Sequence, residues 1–151
     1  MKKGTNKMVK NKKLIRELVD SLEKKDIDKT LLFFTDDATW VTPEDTFKGK
    51  EQIKKYVTWM ANILNDLKCR DEGVGILAQE EKAVHQYVLC ATFKGIKINV
   101  DCVCTFDFSA NKIKKQWTVM DRLSIAKQAA TGPIARKIVN SIIAKSEEGM
   151  H

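Results

Sequence analysis

The chain reads as an α+β domain in which helices at the front cover one face of a curved antiparallel sheet, with an extra helix at the C-terminal end. Three observations predict this. Apolar residues recur at helical spacing as far as Leu67 and then, from about residue 70, at a period of two. The alternating segments are separated by Lys94-Gly95 and by Ser109-Ala110-Asn111, breaks short enough for hairpins. The length, 151 residues, suits one domain able to enclose a small-molecule cavity.

Residues 1–13, MKKGTNKMVKNKK, hold six lysines and no acid, so of a net charge of +7 the rest of the chain carries 7 − 6 = +1. This basic segment has little apolar surface and no run resembling a secretory signal, and it is expected to be a flexible, solvated tail. Weak attraction to phosphates or membrane surfaces is the alternative, without a specific nucleic-acid partner. LIRELVDSLEKKD then places Leu14, Ile15, Leu18, Val19 and Leu22 at helical spacing. DIDKTLLFFTDD continues as a second helix through Leu31, Leu32, Phe33 and Phe34, completing a helical hairpin.

After the short run ATWVTP, stopped by Pro43, a third helix shows one apolar face: Ile53, Tyr56, Val57, Met60, Ile63, Leu64 and Leu67. Strands are expected near 72–80, 83–94, 96–108 and 112–121. The third of them is two-sided. Ile96, Ile98, Val100, Cys102, Cys104, Phe106 and Phe108 share a dry face, while Lys97, Asn99, Asp101, Val103, Thr105 and Asp107 share a wet one. Thr131-Gly132-Pro133 should stop one helix and start another, in which Ile134, Ile138, Val139 and Ile142 form an apolar stripe. Docking on the parent core, covering the pocket mouth and meeting a partner subunit are all open for it.

No stretch approaches the roughly 18 apolar residues of a membrane span. The four cysteines lack metal or redox spacing, and Cys90, Cys102 and Cys104 lie in apolar runs as small buried thiols. His85 and His151 do not make a metal site by themselves. The chain is therefore expected to be a soluble, cytoplasmic protein with no metal or cofactor.

Three stretches, LEKKDIDKTLLFFTDDATWVTP, FKGKEQIKKYV and FDFSANKIKKQWTVMDRLSIAKQ, stand in that order within residues 14–130. Together they resemble the nuclear transport factor 2-like superfamily and, within it, the SnoaL-like polyketide cyclase group. The resemblance implies a cone-shaped domain over residues 14–130, with 131–151 as a helical extension. It also implies a small apolar metabolite as ligand and a homodimer paired sheet to sheet. The family includes aldol cyclases, isomerases and other lyases and hydrolases, and members with no chemistry, so fold alone leaves the reaction open. The chain departs from the cyclase pattern in reading VLCATFKG where a T-H-T-G-like segment stands.

By the W-x-x-x-D setting of Trp117 and Asp121, the resemblance implies Asp121 as general acid/base. Alternation supports it, because Ile113, Lys115, Trp117, Val119 and Asp121 share a phase, and a carboxylate deprived of water can exchange a proton near neutrality. The following RLSIAKQAA supports a second reading, in which Asp121 caps a helix. His85 and Tyr87 share a strand face with Leu89 and Phe93 and are candidate donors to a substrate oxygen, or plain satisfied core. Phe34, Trp40, Thr42, Trp59 and Trp117 are candidate cavity walls, with ordinary core the alternative. Three classes follow: a small enzyme, a non-catalytic binder of apolar ligands, and an interaction module.

Overall fold

A computed structural model describes residues 2–150 of the chain, with side chains from residue 4 onward. His151 lies outside the described residues. In chain order the elements are α1 (Lys2–Glu23), α2 (Ile27–Leu32), β1 (Phe34–Val41), β2 (Thr46–Lys48), α3 (Gly49–Ile63), β3 (Leu64–Ala78), β4 (Lys82–Phe93), β5 (Ile96–Ser109), β6 (Lys112–Met120), α4 (Arg122–Ala129) and α5 (Pro133–Ser146). The strands form one curved sheet in the order β2-β1-β6-β5-β4-β3. Every pairing is antiparallel except β1 with β6.

The long meander follows from its turns and its pattern. Lys94 and Gly95 both take positive φ, 49° and 80°, as do Ala110 and Asn111, at 49° and 60°. That is the backbone hand of two-residue hairpins whose twist matches the flanking strands. On β5 the expected alternation holds: Ile98, Val100, Cys102, Cys104, Phe106 and Phe108 are buried, and the intervening residues face out. α1, α2 and α3 cover the inner face, burying Ile15, Leu18, Ile53 and Val57 against Phe34, Val100 and Ile113. The α1–α2 turn is fixed by Asp26, whose carboxylate accepts the Lys29 N–H at 3.0 Å, and by the buried hydroxyls of Ser21 and Thr30 meeting at 2.8 Å.

Three boundaries differ from the sequence reading. α2 stops at Leu32, and Phe34 opens β1 as a fully buried residue instead of continuing a helix. α3 ends at Ile63, so Leu64 and Leu67 belong to β3. Their spacing of three imitates a helix because the β3–β4 register shifts between Asn65 and Lys68, with Asp66 at φ 53°, and the extra residue turns both leucines inward.

The third difference concerns the basic segment. Helix α1 runs from Lys2, and Asn11 is buried, its amide donating to the carbonyls of Glu80 at 2.9 Å and Gln79 at 3.4 Å in the β3–β4 turn. Lys7 pairs with Glu81 of the same turn. The expectation of a separate tail over 1–13 thus gives way to a helix whose second and third turns dock on the sheet. Buried polar groups are placed where they are hydrogen-bonded, and here the partners are free carbonyls of a turn.

Candidate functional site

β6 ends at Met120 while β5 extends past it toward Ile96, and α4 fills the step. The Gln128 side chain accepts the Asn99 N–H at 2.9 Å and donates to the Asn99 carbonyl at 2.7 Å. Between α4, α3 and the inner face of the sheet lies a cavity of about 320 Å³. α3 contributes Tyr56, Trp59, Met60 and Ile63, the sheet contributes Leu89, Phe93, Ile98, Val100 and Met120, and α4 contributes Arg122, Ile125 and Ala126. The cavity is apolar apart from the Tyr56 hydroxyl and two mouth residues, Glu44 and Arg122.

The polar groups are held by the turn that follows β1. Thr42 Oγ1 accepts the N–H groups of Glu44 and Asp45, each at 3.2 Å, and donates to the Asp45 carbonyl at 3.1 Å. Arg122 Nη1 donates to the Pro43 carbonyl at 3.3 Å, tying this turn to α4 across the mouth. Burial drives the Tyr56 hydroxyl far above its ordinary range, with Glu44 adding to the effect, although its hydrogen bond to Thr42 pulls the other way. Tyr56 therefore stays protonated at physiological pH. Its ring lies between Trp59, at 5.8 Å, and Phe47, at 4.4 Å, with Trp40 edge-on at 5.2 Å.

Behind Tyr56 runs a buried polar row. Trp40 Nε1 donates to Thr118 Oγ1 at 2.9 Å, Thr118 meets Cys104 Sγ at 3.2 Å, and Cys104 meets the Tyr87 hydroxyl at 3.5 Å. His85 stacks on Tyr87 at 4.5 Å, and its Nε2 is 2.9 Å from Asp71 Oδ1, which Arg16 grips through both guanidinium nitrogens. The Arg16 hydrogen bond holds the Asp71 carboxyl down at about 2. Burial lowers His85 below its ordinary value despite that carboxylate, leaving the ring neutral at pH 7. Burial likewise raises Cys104, and it pushes Cys102 up to about 12, so these thiols are not nucleophiles. Gln116 Oε1 is buried without a hydrogen-bond partner beside this row.

The candidate residues therefore separate. Trp59 lines the cavity, and Thr42 lies beside the Tyr56 hydroxyl in the turn after β1. Trp40 and Phe34 stack at 5.6 Å behind the wall, and His85 and Tyr87 are buried in the row behind Tyr56. Trp117 is half exposed on the outer face of the sheet, and so is Val119. Asp121 is exposed, and its Oδ1 accepts the Ser124 N–H at 2.9 Å as the N-cap of α4.

The expected placement of Asp121 and Trp117 on the dry face is corrected by one irregularity. Asp107 pairs with Lys115 but Phe108 with Ile113, so Lys114 is an extra residue in β6. Beyond it the phase flips: Gln116, Thr118 and Met120 turn inward, and Lys115, Trp117 and Val119 turn outward. Asp121→Asn should leave the melting temperature unchanged, because Asn caps a helix about as well as Asp. Asp121→Ala should cost about 1 kcal/mol in denaturant unfolding. Equal stability of all three proteins would remove the capping role.

In the sequence Tyr56 stands only as one residue of the apolar face of the third helix, and Arg16 and Asp71 are not among the candidates. Only the position of Tyr56 on the apolar face of a helix adjoining the pocket could have singled it out.

An open cone of sheet and helices with an apolar cavity at its mouth defines the nuclear transport factor 2-like architecture. A profile of the SnoaL-like domain matches residues 15–116, and the chain belongs to that family. Among curated proteins no match was found. The structure is similar to that of an NTF2-like protein of unknown function from Burkholderia pseudomallei K96243, with a TM-score of 0.72 at 13% identity over 81% of this chain and 98% of that one. A candidate SnoaL-like polyketide cyclase from Jannaschia sp. CCS1 gives a TM-score of 0.72 at 15% identity over 83% and 95%. A protein with a ketosteroid isomerase-like fold from Catenulispora acidiphila, in complex with trimethylamine, gives 0.71 at 13% over 79% and 93%. At these identities the likeness speaks for the fold alone. No helix among the described residues is long and apolar enough to cross a membrane.

Proposed function

We propose that this protein binds a small apolar metabolite carrying a carbonyl or hydroxyl group, with the ligand oxygen accepting a hydrogen bond from Tyr56. The observation that carries the reading is a cavity of about 320 Å³ that is apolar on nearly all sides, with Tyr56, Glu44 and Arg122 in its lining. Concave apolar sites with a few oriented polar groups are the usual form of small-ligand pockets. Trp59 and Met60 would cover the ligand from α3, Thr42 would aim the Tyr56 hydroxyl, and Arg122 and Glu44 would meet whatever polar group remains at the mouth. Phe34, Trp40, His85 and Tyr87 would act one layer back, fixing the wall against which Tyr56 leans.

Proton-transfer chemistry of the cyclase or isomerase kind is in keeping with the family. With Asp121 as general acid/base it requires the carboxylate to leave the Ser124 N–H and turn into the pocket, a move that binding alone does not need. A cytoplasmic site of action accords with the four free thiols. A homodimer through the outer sheet face is supported by the exposed Val74, Leu77, Val103, Trp117 and Val119.

Calorimetric titration with a panel of apolar ketones and phenols tests the reading. At least one ketone should bind, and Tyr56→Phe should weaken it about tenfold, the worth of one good hydrogen bond, with little change in melting temperature. Absence of binding by every panel member would end the ligand reading. Equal affinity in the Phe variant would end the role of Tyr56.

A further inference from the structure

Helix α5 and the outer face of the sheet each expose a patch of apolar side chains. No residue of α5 is buried. Ala135, Val139 and Ile143 are half-buried, but the adjoining stripe of Ile134, Ile138 and Ile142 is exposed, Ile134 to 77%. Lys137 lies beside that stripe and Lys145 at its C-terminal end, and neither has an acidic partner among the ion pairs of the described residues. A helix with an apolar stripe and no cover is formed to lie on something.

The outer face of the sheet offers the complement. Gln86, Val103 and Val119 are cross-strand neighbours, and they floor a hollow of about 360 Å³ whose rim carries Glu72, Asp101 and Asp121. Glu72 and Asp101 are exposed acids that no base of the described residues pairs. A floor carrying two valines inside an acidic rim is therefore complementary to an isoleucine stripe with two lysines, and opposite charge around a desolvated centre gives both register and selectivity.

We infer that in the homodimer α5 of each copy lies across the outer sheet face of the other, its isoleucines over Val103 and Val119 and its lysines toward Glu72 and Asp101. This rests on the dimeric reading above. A two-fold axis makes the exchange reciprocal, so that one helix and one sheet face from each copy are covered together.

Light scattering of the full chain over a concentration series tests it. The wild type should show twice the monomer mass of 17.2 kDa. Ile138→Glu with Ile142→Glu should give a folded monomer, since both side chains are exposed within one copy. Lys137→Glu with Lys145→Glu should weaken the dimer at least tenfold, and adding Glu72→Lys with Asp101→Lys should restore it. A monomeric wild type would overturn both the dimer and the helix exchange. A dimer indifferent to the isoleucine pair would overturn the exchange while leaving a sheet-to-sheet dimer standing. Failure of the fourfold charge reversal to restore association would overturn the assigned register.

Discussion

Trp40→Ala should lower stability by roughly 3–5 kcal/mol, the range for truncating a large buried aromatic. The ring stacks on Phe34, takes Tyr56 edge-on and anchors its indole N–H on Thr118, so alanine leaves a void at the junction of α3, β1 and β6. Denaturant unfolding of the wild type and the variant measures the difference. Trp40→Phe keeps the ring packing and gives up the hydrogen bond, and should cost about 1 kcal/mol. Because Tyr56 leans on Trp40, the alanine variant should also lose ligand affinity, whereas the phenylalanine variant should keep most of it. A loss below about 1 kcal/mol in Trp40→Ala would mean that this wall is not packed as described.

Deletion of residues 1–13 should lower the melting temperature by roughly 5–10 °C, from a loss of about 2–3 kcal/mol at the few degrees per kcal/mol usual for this size. The deletion removes the Asn11 amide, leaving the turn carbonyls of Gln79 and Glu80 without that donor, and it halves α1. The single change Asn11→Ala should account for about 1–2 kcal/mol of this, the cost of unpairing buried polar groups. A melting temperature within about 2 °C of the wild type would restore the view of a solvated tail.

The contrast between these outcomes and the sequence reading shows what a linear pattern can carry. The two faces of β5, the two-residue hairpins and the amphipathic α3 were legible because each is local: side-chain periodicity and turn chemistry are written within a dozen residues. The tail was misread for the opposite reason. Nothing near Asn11 shows that the carbonyls it needs lie almost seventy residues downstream. Leu64 and Leu67 imitated a helix, and Ile113 and Trp117 imitated a single strand face, because one inserted residue changes phase without leaving a mark in composition.

A cavity between helices and sheet was legible in outline, but not the side chains that line it. Tyr56 has the spacing of a core residue, and it lines the cavity because α3 and α4 meet the sheet on either side of that space. The Arg16–Asp71–His85 chain joins α1, β3 and β4, and no spacing rule connects three elements that meet only in the folded state.

The contact between Gln128 and Asn99 has a consequence beyond the pocket. Where β6 has ended, Asn99 would present a bare N–H and a bare carbonyl to the solvent, the pair of groups onto which a stray strand from another molecule adds. A primary amide has the same donor and acceptor as a peptide group, and Gln128 fills both places while having no further peptide groups to extend the pairing. The helix that closes the cavity thus also caps this open stretch of β5, through a side chain that is not part of any strand.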